Sequence, residues 1–434
     1  MTHPKPPVIT IIGAGSKVFG FSMCTDLCQM PALKGAEVRL VDVDRGKLET
    51  MKRLFALVND TTSMDLRLSA ATDCRSVLAG SDYVIVSVAH DRINRWERDL
   101  EISRRHGIVE VQGECGGPGG LSLTLRNVPL ILGIAREIER LAPKALVLNF
   151  SNPMTRVCRA LDRYTKLRTV GLCHGILTIQ GMLNERLGRR VTVRGCGINH
   201  FNWINAAQFE EDGSDAWLAV VKLLRKGPIP GYQYIQELFE VFGRIVAPDD
   251  VHIADFIHHW RNGPDGLTVR YHLPPKDLSR YRKKAGAWDA RMKEYLSGKV
   301  NPMSVVKGLS GEGAIPIIAS TAGLLPSDRE PAVNIPNRGF IPNLPDGAIV
   351  EVPARVSRDG VEGERMDDLP ACIRSLISRQ LEIADLAVEA AYEGSYSKAL
   401  QALALDPIVG DLQVTRRYLD DILRAHADVL PQFC

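Results

Sequence analysis

Several absences narrow this chain before any motif is read. No stretch approaches the roughly 18 to 20 consecutive apolar residues that cross a bilayer, so a membrane protein is not expected. Met1 to Pro7 is short and polar, holds three prolines, and has no signal-peptide apolar core. Nine cysteines are scattered without a C-x-x-C pair, so neither a disulfide framework nor a zinc knuckle is indicated. A cytoplasmic location, where thiols stay reduced, is the expectation. An excess of charge of one sign is also missing: 54 basic residues face 51 acidic ones, a formal net charge of +3. That balance gives no reason to expect nucleic acid or an anionic membrane as partner. The densest basic run, Arg280, Arg282, Lys283 and Lys284, reads as a solvated face. Internal repeats and low-complexity linkers are lacking as well.

What remains is an ordinary globular composition, 45% hydrophobic and 24% charged. A length of 434 residues exceeds what one hydrophobic core normally serves, so two intimately packed domains are expected, 1–190 and 191–434.

The first half alternates strands and helices. Val8 to Ile12 is a β-branched, apolar run, the mark of a buried parallel strand, and it meets Gly13-Ala14-Gly15-Ser16. A helix over Phe19 to Met30 and a strand over Glu37 to Val41 follow, and the strand ends in Asp42. Glycines at such a turn let the backbone approach a pyrophosphate at a helix N-terminus. Asp42 would accept hydrogen bonds from a ribose and repel a 2′-phosphate, which favours NAD over NADP. The G-x-G-x-x-G pattern is incomplete: Val18 stands in the third glycine position and Gly20 comes late. An ordinary tight turn is the competing reading. Further strands over Tyr83 to Val88, Ala145 to Phe150 and Thr169 to Leu172 deliver Ser87, Asn149-Phe150-Ser151-Asn152 and Cys173-His174-Gly175 at their carboxyl ends. Ligands bind outside the carboxyl ends of strands in open α/β sheets, so three strand ends point polar residues toward one crevice. Leu130 to Leu141 has helical spacing.

The second half mixes element types. Val191 to Ile198 reads as a strand ending in Asn199-His200, Ala348 to Val356 as a half-buried strand, and Pro370 to Ala391 as a long amphipathic helix. The fold class expected is α/β, a Rossmann-type parallel sheet like that of lactate and malate dehydrogenases, followed by an α+β catalytic domain. Cys173 and His200 carry the most chemical weight. A thiolate and an imidazole suit a borderline divalent metal with positions open to water or substrate. Either residue alone could equally be packing at a strand end. Residue reasoning therefore stops at a nicotinamide enzyme with a possible open metal site, and an NAD-dependent 2-hydroxy-acid dehydrogenase remains open.

Read together, five segments resemble glycoside hydrolase family 4. They are Gly13-Ala14-Gly15-Ser16, Gly117-Pro118-Gly119-Gly120, Asn149-Phe150-Ser151-Asn152-Pro153-Met154, Gly171-Leu172-Cys173-His174-Gly175 and Gly197-Ile198-Asn199-His200. Asn343 to Gly347, Val350 to Pro353, Ala399-Leu400 and Asp406-Pro407 extend the resemblance over nearly the whole chain, with 205–330 matching loosely. The family stands apart from glycosidases that use two carboxylates. The resemblance implies that NAD⁺ takes a hydride from carbon 3 of the sugar, a base removes the acidified proton at carbon 2, the aglycone leaves by elimination, water adds, and the hydride returns. It implies Mn²⁺ or another divalent metal on Cys173 and His200, with Asn152 and Asn199 on the sugar hydroxyls. Gly13, Gly15, Ser16, Asp42 and Ser87 would line the cofactor. Glu114 would act as acid toward the leaving group or orient its loop. The base would be Asp250, with Asp249 and Asp255 near enough to be the true match. The adjacent pair Asp249-Asp250 could instead cap a helix from His252 to Trp260. Homodimers or homotetramers are implied too.

The sugar is suggested by Cys173-His174-Gly175, which most resembles the α-glucuronidase and α-galacturonidase branch; neutral-sugar α-glucosidase or α-galactosidase activity is the alternative. A uronic carboxylate would need a cation, ideally a bidentate arginine. Arg338 is the first candidate; Arg92 and Arg95 are others.

Overall fold

The computed structural model describes residues 5–257, 271, 273 and 276–433. Its framework is a parallel sheet of β1 (Val8–Ile12), β2 (Glu37–Val41), β3 (Arg67–Ala71), β4 (Tyr83–Val86), β5 (Leu146–Asn149) and β6 (Arg168–Gly171). The spatial order is β3-β2-β1-β4-β5-β6, the order of a dinucleotide-binding Rossmann sheet. Every residue of β1, β4 and β5 is buried, which is why these segments are continuous apolar runs rather than alternating ones.

The second half joins this sheet instead of standing beside it. Its strands are β7 (Val191–Ile198), β8 (Phe201–Phe209), β9 (Ile245–Ala247), β10 (Asp328–Pro336), β11 (Ile349–Ser357) and β12 (Gly360–Gly363). β10 runs antiparallel to β6, with Asn334 opposite Gly171, and the sheet continues through β11, β7, β8 and β9. Residue 190 falls between the helix Gly175–Leu187 and β7. One apolar cluster holds Ile9 and Leu148 before that point and Trp203 and Val352 after it.

Most expected elements form close to their sequence limits. The largest difference is the helix read at Leu130 to Leu141, which begins at Gly117 and runs to Leu141. Glycine and an internal Pro129 mask its start, but Pro118 sits in its first turn, where the missing N–H costs nothing, and residues 117–128 are all buried. Tertiary burial thus overrides weak local propensity. The helix Ala371–Glu393 packs across Gly117–Leu141 and the helix Met154–Tyr164. The run Arg280 to Lys284 lies on the exposed face of the helix Ser279–Leu296, where Arg282 pairs with Glu97. Among the described residues no helix is long and apolar enough to cross a membrane.

Candidate active site

The turn after β1 is built by close approach. Gly13 has φ +90°, and a Cβ there would stand 2.0 Å from the Ser87 carbonyl oxygen at the end of β4. Gly15 donates its N–H to Asp42 Oδ2 at 2.8 Å, and a Cβ on it would meet that carboxylate at 2.6 Å. Asp42 Oδ1 accepts from Asp44 N. Gly20 explains the irregular fingerprint: a Cβ there would lie 2.6 Å from the Ala14 carbonyl, so Gly20 supplies the helix-to-turn packing expected of a third glycine, while Val18 is exposed. Ser16 precedes the helix Lys17–Cys28, and its exposed side chain makes no capping bond.

The same carboxyl edge presents the polar cluster. Ser151 Oγ accepts from Val88 N, tying the ends of β4 and β5 together. Asn152 holds its backbone carbonyl on Asn127 Nδ2, while its own Oδ1 is buried without a partner. β6 delivers Cys173. Opposite it, the hairpin between β7 and β8 turns on Asn199 and His200, and His200 takes a left-handed φ of +59°, uncommon for a residue with a Cβ. Cys173 Sγ lies 3.2 Å from His200 Nε2. Burial opposes a charged imidazole here, but the Cys115 and Cys173 thiols outweigh it and hold the His200 pKa well above the ordinary histidine value.

A buried carboxylate that sequence reasoning did not single out shapes this turn. Glu351 on β11 is 1% exposed and accepts from Asn199 Nδ2 at 2.9 Å, Asn334 Nδ2 at 3.1 Å and Asn202 Nδ2 at 3.1 Å. Burial pushes its pKa up; the three amides work against that. The network engages one N–H of Asn199 and leaves its Oδ1 buried without a partner. Asn199 is therefore equipped to accept a hydrogen bond. The signal in the sequence was a glutamate between Val350 and Val352 on a strand read as half-buried.

The carboxylates expected in acid–base roles each make specific bonds within the fold. Asp250 is fully buried, and its two oxygens accept from Tyr234 N at 3.1 Å and Ile235 N at 2.9 Å, at the start of the helix Gln233–Phe242. Burial raises its pKa to about 6. Its side chain caps that helix. Asp255 likewise accepts backbone N–H groups from Val111, Gln112 and Gly113. Asp249 caps a helix through His252 N, but a short one, Asp250–Ile253, and not one starting at His252: residues 254–257 have left the helix, and Trp260 lies outside the described residues. The same Asp249 oxygen bonds His252 Nδ1 at 2.7 Å, and the His252 ring packs on His200 with centroids 4.7 Å apart. Burial would raise the Asp249 pKa, but the bond to His252 outweighs it and holds the group below the ordinary range. Glu114 is buried and salt-bridged to Arg92, with Gln112 Nε2 at 3.4 Å. Burial would raise the Glu114 pKa, but Arg92 outweighs it and holds the group below the ordinary glutamate range.

Arg338 lies away from the crevice, and Arg92 and Arg95 are already paired. Because β10 runs antiparallel to β6, Arg338 just beyond it lies at the amino edge of the parallel strands, in a cavity it shares with Tyr83, Leu146 and Arg168. Arg92 is held by Glu114 and lies over Trp96; Arg95 is held by Asp428 and His426. Gly175 is close to the site: a Cβ there would meet Pro248 at 3.6 Å and His200 Cδ2 at 3.7 Å.

The residues present fit both groups that the sequence suggests. Only glycine fits the turn beside Ser87, and a soft thiol and an imidazole stand close enough to share one cation. The architecture defines a Rossmann-fold protein with a thiol–imidazole pair at the carboxyl edge of its sheet. Residues 8–189 match the model described as family 4 glycosyl hydrolase, and residues 195–409 match the family 4 glycosyl hydrolase C-terminal domain. The chain belongs to glycoside hydrolase family 4. It is 32% identical to an alpha-glucosidase of Erwinia rhapontici, covering 92% of this chain and 93% of that one. It is 30% identical to an alpha-galacturonidase of Bacillus subtilis strain 168, again covering 92% and 93%. Among solved structures, lplD from Bacillus subtilis is 26% identical with a TM-score of 0.86, covering 96% of this chain and 99% of that one. A 6-phospho-alpha-glucosidase from gut microorganisms, solved with NAD and Mn²⁺, is 20% identical with a TM-score of 0.85, covering 99% and 100%, and shows the shared fold. Membership in a hydrolase family removes the hydroxy-acid dehydrogenase alternative.

Proposed function

We propose that this chain hydrolyses an α-linked uronide, an α-glucuronide or α-galacturonide, with NAD at the glycine turn and a divalent cation, Mn²⁺ foremost, on Cys173 and His200. The observation that carries the reading is the 3.2 Å approach of Cys173 Sγ to His200 Nε2 at the crevice edge of a Rossmann sheet. When bound, NAD supplies reversible hydride uptake at sugar carbon 3, and the cation polarises the oxygens at carbons 2 and 3.

The chain's own residues supply the rest. Asn199 Oδ1 accepts from a sugar hydroxyl, because Glu351 engages an N–H of its amide and leaves that oxygen without a partner. Asn152 holds a second hydroxyl through its unpartnered Oδ1. The proton at carbon 2 goes to the Asp249–His252 pair, the acid–base pair packed beside His200. Glu114, fixed by Arg92, keeps negative charge near both imidazoles. The uronide reading draws on the Cys173-His174-Gly175 turn and on the likeness to an alpha-galacturonidase. The likeness to an alpha-glucosidase favours a neutral sugar as the second reading.

A panel of nitrophenyl α- and β-glycosides, uronides included, assayed with NAD⁺, Mn²⁺ and a thiol reductant, separates these readings. We expect nitrophenol release from an α-uronide, flat absorbance at 340 nm and loss of activity on chelation. Equal turnover of a neutral α-glucoside and an α-glucuronide overturns carboxylate selection. A steady rise at 340 nm without aglycone release overturns the hydrolytic cycle.

A further inference from the structure

Among the described residues two arginines are buried in the helical layer, and Arg126 alone of the two makes an ion pair. Arg126 is 2% exposed and meets Asp99 through two bonds, of 3.1 and 2.7 Å, and Ser122 through a third. Arg156, in the first turn of the helix Met154–Tyr164, is 3% exposed, and its hydrogen bond is to a neutral hydroxyl, Nη1 to Thr124 Oγ1 at 3.1 Å. Among the described residues no carboxylate comes within ion-pair distance of it. Asp406 and Cys115 act on it only through their fields, and burial pulls its pKa below the ordinary arginine value. A buried cation without a paired anion is costly, and proteins keep one where an anion arrives.

Arg156 lines a small cavity of about 20 Å³ together with Cys115, Thr155, Asn199 and Gln380. That space admits one small polar group and not a sugar ring. The cavity adjoins the hairpin that carries His200: Asn199 lines it and precedes His200 in the turn. The Thr155 hydroxyl is buried without a partner, a second donor beside the guanidinium. A positive charge, a hydroxyl and a primary amide thus line one cavity next to the residue proposed to hold the sugar.

We propose that Arg156, with Thr155 and Gln380, is the carboxylate-binding subsite that selects a uronic acid over a neutral sugar, an assignment that rests on the uronidase reading above. Arg156 completes its ion pair only when the sugar's carboxylate enters. A hydroxymethyl group leaves the buried charge unpaired, and discrimination arises from that difference.

The test compares wild type with Arg156→Gln, Arg156→Lys and Thr155→Val, using nitrophenyl α-uronides and nitrophenyl α-glucoside, with calorimetric binding of free glucuronate and galacturonate against glucose. For Arg156→Gln the uronide-to-glucoside ratio of kcat/KM should fall about 100-fold, mainly through KM. Thr155→Val should lower it about 10-fold, and it preserves shape should the Arg156 variants fold poorly. Arg156→Lys keeps the charge without the fork and should fall between wild type and Arg156→Gln. Uronate binding should weaken in parallel. If wild type prefers uronides and the variants lose both substrates equally, the subsite is overturned while the uronidase reading stands. If wild type hydrolyses only neutral glycosides and binds no uronate, the uronidase reading itself fails and takes the subsite with it.

Discussion

The cofactor side and the sugar side of this molecule are built by different means. The turn after β1 is a local object made of backbone: Gly13, Gly15 and Gly20 all fall within one strand-turn-helix segment, and Asp42 ends the next strand. The proposed sugar side is assembled from distant side chains: Asn152 after β5, Cys173 after β6, Asn199 and His200 between β7 and β8, His252 after β9, and Glu351 from β11. A local backbone device tolerates change in the surrounding fold. A convergent set of side chains depends on every supporting bond. The contrast teaches where each kind of substitution should register.

Cys173→Ser should cut glycoside turnover about 10⁴-fold or more, since a hydroxyl is a poor ligand for a borderline cation, while calorimetric NAD⁺ affinity stays within about twofold. A parallel loss of NAD⁺ binding would show the two sides to be one unit. Asp249→Asn should lower kcat about 10²- to 10³-fold and suppress exchange of the carbon 2 proton with solvent deuterium. Asp250→Ala, one residue on, should instead lose the cap on Gln233–Phe242, about 1 to 2 kcal/mol of stability read in denaturant melts, with exchange per folded molecule retained. Reversal of that pair of outcomes would return the base to Asp250. Asp42→Ala should raise KM for NAD⁺ about tenfold and narrow the preference over NADP⁺, with little change in kcat. A large kcat effect would mean that the Gly15–Asp42 bond also positions the crevice.

Legibility followed the same divide. Val8 to Ile12, the glycine turn and Asp42 carry their physics in sequence order, so strand, turn, helix and acid were readable. Cys173 and His200 were readable because each follows a strand, and strand ends face the crevice. Asp249 and Asp250 look equivalent along the chain; the fold bonds Asp250 to the start of Gln233–Phe242 and Asp249 to both the backbone and the ring of His252. Arg338 was misread because its position past β10 says nothing about the antiparallel direction of that strand, which carries it to the far edge of the sheet. Arg156 was passed over, since one arginine in an amphipathic helix looks like any other until its burial is known.

The linear chain alone determined the periodicities and turn residues that make a Rossmann half, the family motifs, and the residue types able to hold a cation. Tertiary structure decided which carboxylates are already bound: Glu114 by Arg92, Glu351 by three amides, Asp250 by a helix end. The reason is that a side chain's chemistry is set by its desolvation and its partners, and both come from segments far apart in the chain.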